Sequence, residues 1–364
     1  MKILVISNMF PSEKYPSYGI FVKKFCNQLN KIGISYSLSV MTKSDSKIVK
    51  VIYYLLFYLR TIIKILFYKY DLIYIHYASH SSIPVLIARP FINKKILVNV
   101  HGSDVVPENN KQQKLQKVTK KILSISDKII VPSEYFRDYV SEKYLINSSK
   151  IEIYPSAGID SNFFNTNVGI ENTMFKNILK LKGDKKIFGF SGRISEGKGW
   201  DTFLNAIDLL NSKYNDENIY IILGDGYQSD LLKECVESKR LTENFIFINK
   251  LLPQNELGEF FNLIDYLVFP TKREGESLGL VALEAMACGT PVITSDFAAP
   301  KYYINDGYNG FKFTVGSEVK LAETIYKLRT LSSQDYDKIC KNAQQTAEKY
   351  YEENIINELK RVIS

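Results

Sequence analysis

Two doubly wound α/β domains in series are the fold class that this sequence predicts. Three observations carry that expectation. Short apolar, β-branched runs alternate with helix-forming segments along most of the chain, which is the pattern of parallel sheets covered by crossover helices. The runs fall into two sets, separated by IYPSAGIDSNFFNTN, a stretch rich in Pro, Gly, Asn and Ser near residues 155–170. At 364 residues, with 45% hydrophobic and 13% aromatic content, the chain has enough apolar material for two cores.

In the first set the strands are expected at KILVIS from Lys2, SYSLSVM from Ser35, DLIYIHY from Asp71, KILVNV from Lys95 and KIIVP from Lys128. Between the second and third lies VIYYLLFYLRTIIKILFY, Val51 to Tyr68, just under membrane-spanning length and interrupted by Arg60 and Lys64. Residues 47–69 therefore read as a long helix, packed on a sheet or resting its outer face in a lipid interface. The second set comprises KIFGFSG from Lys186, NIYIILG from Asn218, NFIFIN from Asn244, YLVFP from Tyr266 and TPVIT from Thr290. The expected division is residues 1–160 and 161–345, each a Rossmann-like domain, followed by a helix over 346–364 that packs back on the first.

Charge is uneven. Residues 1–165 hold 23 Lys/Arg against 11 Asp/Glu, and residues 166–364 hold 24 against 28, within a net charge of +8. The basic half calls for an anionic partner, nucleic acid or membrane surface. Cys26, Cys235, Cys288 and Cys340 are scattered without CxxC pairs, and the N-terminus lacks the regions of a signal peptide, so a reducing cytoplasm is expected. His76 and His80 stand four apart, but the preceding DLIYI is strand-like and a third ligand is missing nearby, which argues against a metal site.

Two stretches carry chemistry. FSGRISEGKGWD, residues 190–201, follows a strand and opens a helix. Gly192, Gly197 and Gly199 permit close backbone approach to a phosphate, and Arg193 and Lys198 supply charge. A nucleotide-hydrolysing P-loop needs Ser or Thr after the lysine, where this chain has Gly199. The second stretch, REGESLGLVALEAMACGTPVI from Arg273, reads as loop, short helix and strand. Glu274 and Glu276 fall in the loop at a strand's carboxyl end, whereas Glu284 lies among apolar helix neighbours and needs donors. Those donors are either a neighbouring loop or the two hydroxyls of a ligand diol, which match the two oxygens of a carboxylate.

Together these pieces resemble the two-domain GT-B glycosyltransferases, specifically the retaining family 4 type, the glycosyl transferases group 1. GESLGLVALEAMACGTPVI is similar to that family's E-x7-E block, with Glu276 first and Glu284 second. SGRISEGKG resembles its Arg and Lys loop, LGDGYQSDLL its nucleotide-side turn, NVHGSDV its His-containing loop and MFPSEKYPSYGIFV its Gly-bearing loop after the first strand. IYPSAGID resembles the interdomain segment, with an altered turn.

The resemblance implies that Glu284 accepts both ribose hydroxyls of a nucleotide and that Glu276 contacts the transferred sugar. Ser277, Leu278, Gly279 and Leu280 would face the diphosphate, with Gly19 and Gly192 also on the donor side. Arg193 and Lys198 would neutralise the leaving diphosphate, so neither metal nor cofactor is expected, and His101 would lie beside the sugar. The implied reaction is a retaining, front-face transfer from a nucleotide sugar to a saccharide or polyprenyl-linked acceptor, in surface polysaccharide or glycolipid biosynthesis. The implied location is the inner face of the plasma membrane, on an anionic surface. A GT-B sugar-nucleotide epimerase is the alternative reading. A nucleic-acid-binding protein is a further one, opposed by the acidic second half and the lack of a base-stacking motif.

Overall fold

The computed structural model describes residues 1–241 and 244–364. The chain forms two compact units, Met1–Ala157 with Ile355–Ser364, and Gly158–Asn354.

In the first unit the elements run β1 (Lys2–Phe10), α1 (Ile20–Lys31), β2 (Ser35–Thr42), α2 (Lys47–Phe67), β3 (Leu72–His76), α3 (Ile83–Ala88), β4 (Lys95–Asn99), α4 (Asn110–Ile125), β5 (Lys128–Val131), α5 (Glu134–Tyr144) and β6 (Ile151–Ile153). All six strands are parallel, in the order β2-β1-β3-β4-β5-β6. Leu72, Ile73, Tyr74 and Ile75 of β3 are all buried because helices cover both faces, which is why the strand reads as an unbroken apolar run. One face packs Leu4, Ile6, Ile73 and Val98 against Phe57, Ile122 and Val140 of the helices. The other packs Ile3, Val5, Leu72 and Leu97 against Phe25 and Leu29, and against Ile355, Leu359 and Val362 of the last helix, Glu352–Ile363.

Several cations in this unit terminate backbone rather than face outward. Lys64 Nζ donates to Leu38 O (2.7 Å), Lys94 Nζ to Ile65 O and Tyr68 O (both 3.0 Å), and Arg60 to Val40 O. Lys95 and Lys128 donate to carbonyls at the end of the last helix. Orphan carbonyls at helix ends and on an edge strand need donors, and lysine supplies them.

The second unit continues with α6 (Thr173–Lys182), β7 (Ile187–Ser191), α7 (Trp200–Tyr214), β8 (Ile219–Leu223), α8 (Ser229–Ser238), β9 (Phe245–Ile248), α9 (Gln254–Leu263), β10 (Tyr266–Phe269), α10 (Leu280–Ala287), β11 (Val292–Ser295), α11 (Pro300–Tyr303), β12 (Gly310–Phe313), α12 (Glu318–Leu328) and α13 (Ser333–Glu348). Its parallel sheet has the order β12-β11-β10-β7-β8-β9, and apolar layers cover both faces.

Each sheet has one strand more than the five that the sequence pattern suggests. β6 is three residues long and β12 four, and each lies at a sheet edge with polar members, Glu152 and Lys312. Segments so short carry no readable period.

Candidate functional site

The winding of the second sheet reverses between β7 and β10, and doubly wound sheets bind ligands at such a switch point, beyond the strand carboxyl ends. Two loops meet there, residues 192–199 after β7 and 270–279 after β10. They are stitched together where the Lys272 amide donates to Gly197 O (2.8 Å). On the other flank the Gly192 and Ile194 amides donate to Leu223 O and Asp225 O (both 3.1 Å), fastening the loop after β7 to the one after β8. Contact is close enough to dictate composition. Gly199 has φ 82°, and a Cβ there would sit 1.9 Å from Pro270 O, so a side chain at this position is excluded.

Across this junction Lys198 Nζ lies 2.6 Å from Glu276 Oε2, with the two side chains 18% and 14% exposed. Burial alone would raise the Glu276 carboxyl. Lys198, by charge and hydrogen bond, together with Arg273 and the Thr271 hydroxyl, instead holds it below its ordinary value. The Glu276 carboxyl is therefore ionised at neutral pH.

The helix starts here differ from others in the molecule. α2, α4, α5, α6, α12 and α13 each begin at a Ser or Asn whose side chain accepts a backbone N–H. α7 and α10 begin at Gly199 and Gly279, both in the left-handed conformation and without a side-chain cap. In α10 the Ala282 amide donates to Gly279 O (2.9 Å), and the positive ends of the two dipoles, with the earlier amides that open each helix, suit an anion. Behind α10, buried Tyr303 donates to Leu278 O (3.0 Å) and Gly279 O (3.2 Å), which fixes the loop that Ser277, Leu278 and Gly279 form before Leu280 opens the helix. No periodicity or spacing in the sequence marks Tyr303.

Arg193 is exposed in the loop that Gly192 begins, and Glu274 is exposed at a turn. Glu284 is buried at 6% exposure inside α10 and is not without an interaction partner. A cavity of about 580 Å³ opens beside Gly197, Trp200, Asp201, Gln228 and Lys272. It borders the same loop but none of Lys198, Glu276 or Glu284 lines it.

Gly19 and His101 belong to the first unit. Gly19 starts α1, again left-handed and without a side-chain cap, and the ring of Phe21 two residues on lies 4.1 Å from that of His101. Asp104 accepts the amides of His101 (3.0 Å), Gly102 (2.9 Å) and Ala78 (2.9 Å), which sets the loop after β4. His101 Nε2 is 3.0 Å from Nδ1 of His76, a residue that the sequence pattern offered only as a metal ligand. Burial pushes the His101 ring down to about 3 and His76 well below its ordinary value, so both rings are neutral.

The tautomers follow from His76 Nε2, which is buried without a hydrogen-bond partner. An orphaned buried N–H is rarer than an orphaned acceptor, so the His76 proton belongs on Nδ1, donated to His101 Nε2. His101 then carries its proton on Nδ1. His80 Nδ1 pairs with Tyr58 Oη (2.9 Å), so the two histidines four residues apart serve different partners. Among the described residues no three His, Cys, Asp or Glu side chains gather in a way that could hold a metal ion.

Comparison with known proteins follows the two units. The family model for glycosyl transferases group 1 matches residues 171–346, and the model for glycosyltransferase family 4 matches residues 42–161. An uncharacterized glycosyltransferase of Methanocaldococcus jannaschii is 27% identical over 71% of this chain, which spans 65% of that protein. Sucrose-phosphate synthase from Thermosynechococcus elongatus superposes with TM-score 0.81 at 18% identity, covering 100% of this chain and 98% of its own. HepE of Anabaena, solved with UDP, gives 0.75 at 17% identity, over 100% and 99%. At these identities the structural likeness concerns the fold.

Proposed function

Because the chain belongs to the group 1, family 4 glycosyltransferases, with the GT-B fold, we propose that it transfers a hexosyl group, with retention, from a nucleoside-diphosphate sugar to a hydroxyl of a saccharide or polyprenyl-linked saccharide. One observation carries the reading: the Lys198–Glu276 contact at 2.6 Å stands at the switch point where two glycine-started helices without side-chain caps begin. The amides opening α7 and α10, with Lys198 and Arg193, balance the charge of a diphosphate as it leaves, without need of a metal ion. Glu276 lies beside the transferred sugar and Glu284 accepts the ribose hydroxyls. His101, neutral, donates its Nδ1–H to a sugar hydroxyl.

In the step itself the bond from the anomeric carbon to the phosphate oxygen breaks, and the acceptor oxygen bonds to the same face of that carbon. The acceptor proton passes to the departing phosphate. The complex of HepE with UDP supports a uridine nucleotide as the first donor to try. Nothing favours the epimerase or nucleic-acid readings. Surface polysaccharide or glycolipid synthesis, on the inner face of the plasma membrane, is the proposed setting.

The test is a panel of nucleoside-diphosphate sugars screened by thermal shift, followed by product analysis with saccharide acceptors, with and without EDTA. A cognate donor at a hundredfold its Kd stabilises the protein by about 2.7 kcal/mol. Transfer that persists in EDTA is expected. An epimerised donor formed without acceptor, or complete loss in EDTA with rescue by manganese, overturns the reading.

A further inference from the structure

Helix α2 turns a long apolar face outward. Ile48, Leu55, Leu59, Ile63 and Leu66 fall within one strip of roughly 80° of the helix circumference, opposite the buried Phe57, Thr61 and Ile65. The strip is open along its length: Ile48 is 76% exposed, Leu55 63%, Leu59 58%, Ile63 41% and Leu66 39%. It runs for about 30 Å. Contiguous apolar surface on this scale marks an interaction site.

Charge selects the occupant. From Ser46 to Tyr70 the chain has five cations, Lys47, Lys50, Arg60, Lys64 and Lys69, and no Asp or Glu. A second copy docked antiparallel about a twofold axis near Leu55 and Leu59 would set Lys47 of one copy beside Lys69 of the other, where like charges repel. Arg60 and Lys64 are taken up by the carbonyls of Val40 and Leu38, which leaves the exposed Lys47 and Lys69, at the two ends of the helix, as the cations free to meet a surface. No helix among the described residues is long and apolar enough to cross a membrane. A cation-bordered apolar face on such a helix suits the plane of a lipid interface.

We infer that α2 lies flat in an anionic phospholipid surface, with Leu55 and Leu59 at the centre of the inserted face and Lys47 and Lys69, at its two ends, against lipid phosphates. This deepens the proposed function by naming how the first unit reaches a lipid-linked acceptor, and rests on that reading for its purpose but not for its evidence. Each basic residue near an anionic surface contributes about fivefold in partitioning, and the contribution fades with salt.

The experiment is co-sedimentation of the full chain with vesicles of phosphatidylcholine alone and with one-third phosphatidylglycerol, at low and high salt. Wild type should partition at least tenfold better onto the anionic vesicles, with the advantage lost at high salt. Leu55→Glu/Leu59→Glu should lose binding while keeping its circular dichroism spectrum and its affinity for UDP. Lys47→Gln/Lys69→Gln should lower anionic binding alone. Equal partition onto both vesicles at every salt concentration overturns the proposal. So does absence of partition together with a dimer that Leu55→Glu/Leu59→Glu dissolves, since a second copy would then cover the face. Vesicle binding without any nucleotide affinity would leave the docking surface standing and remove the proposed reaction.

Discussion

Removing Lys198 isolates the centre of the site. In Lys198→Ala the Glu276 carboxylate, 14% exposed in the intact pair, loses its nearest cation and keeps only Arg273 and the Thr271 hydroxyl. Breaking a fully buried pair from one side costs about 3–5 kcal/mol, and the residual exposure of both groups trims this to about 2–4 kcal/mol. For a unit the size of Gly158–Asn354 that corresponds to a fall in melting temperature of about 4–16 °C. The double variant Lys198→Met/Glu276→Leu replaces both charges by apolar groups of similar volume and should lie within about 1 kcal/mol of wild type. The four proteins form a double-mutant cycle, read by thermal unfolding and urea titration. Acidity gives a second axis. The Glu276 carboxyl is held below its ordinary value, so the native state binds fewer protons than the unfolded one as pH falls through that range. The stabilisation is present above the unfolded carboxyl's value, about 4.3, and is lost as pH drops through the folded value. The gap between wild type and Lys198→Ala should therefore narrow on acidification. A single variant no less stable than wild type, a double variant as damaged as the sum of the singles, or a gap that widens in acid would refute the reasoning.

Three other outcomes are expected. Glu284→Ala should weaken nucleoside-diphosphate binding by the loss of charge-assisted hydrogen bonds, each worth about 1.5–3 kcal/mol, whereas Glu276→Gln should keep that affinity and lose about a hundredfold in turnover. Calorimetry with steady-state kinetics decides, and the opposite pattern would reverse the two assignments. Gly199→Ala should lower the melting temperature well beyond Gly33→Ala: both positions have positive φ, at about 1–2 kcal/mol for the backbone, but a Cβ at Gly33 meets nothing within 4 Å and one at Gly199 meets Pro270 O. Equal losses would show that the close approach carries no energy. Long-range nitrogen-15 NMR should find His101 as the neutral Nδ1–H tautomer from pH 5 to 8, and an imidazolium signal in that range would contradict the burial argument.

The strands were legible wherever helices cover both faces, because a doubly covered parallel strand reads as an apolar run, as β8 and β10 do. β6 and β12 escaped notice as short edge strands with polar members. The loop glycines and the acids in a helix-forming block were legible because local geometry demands them. The Lys198–Glu276 pair was not: the two residues are 78 positions apart and meet through the adjacency of β7 and β10, a strand order that composition and period do not encode. Tyr303 and His76 escaped for the same reason, since their roles arise from what folds against them. The basic excess of the first half was visible as charge. Its division between lysines that close carbonyl ends and lysines that face outward appeared only with the backbone in place.

The last helix has a consequence for biogenesis. Ile355, Leu359 and Val362 complete a layer that otherwise consists of residues from the first half of the chain, including Leu72, Leu97 and Ile130. During synthesis that layer waits for the whole of Gly158–Asn354 to be made, a delay of about 10–40 s at ribosomal rates. The intervening unit is contiguous and can fold as it emerges. The nascent first unit meanwhile presents a sheet face that α1 covers only in part, a target for holdase chaperones. A ribosome stalled before Ile355 would hold it in that state.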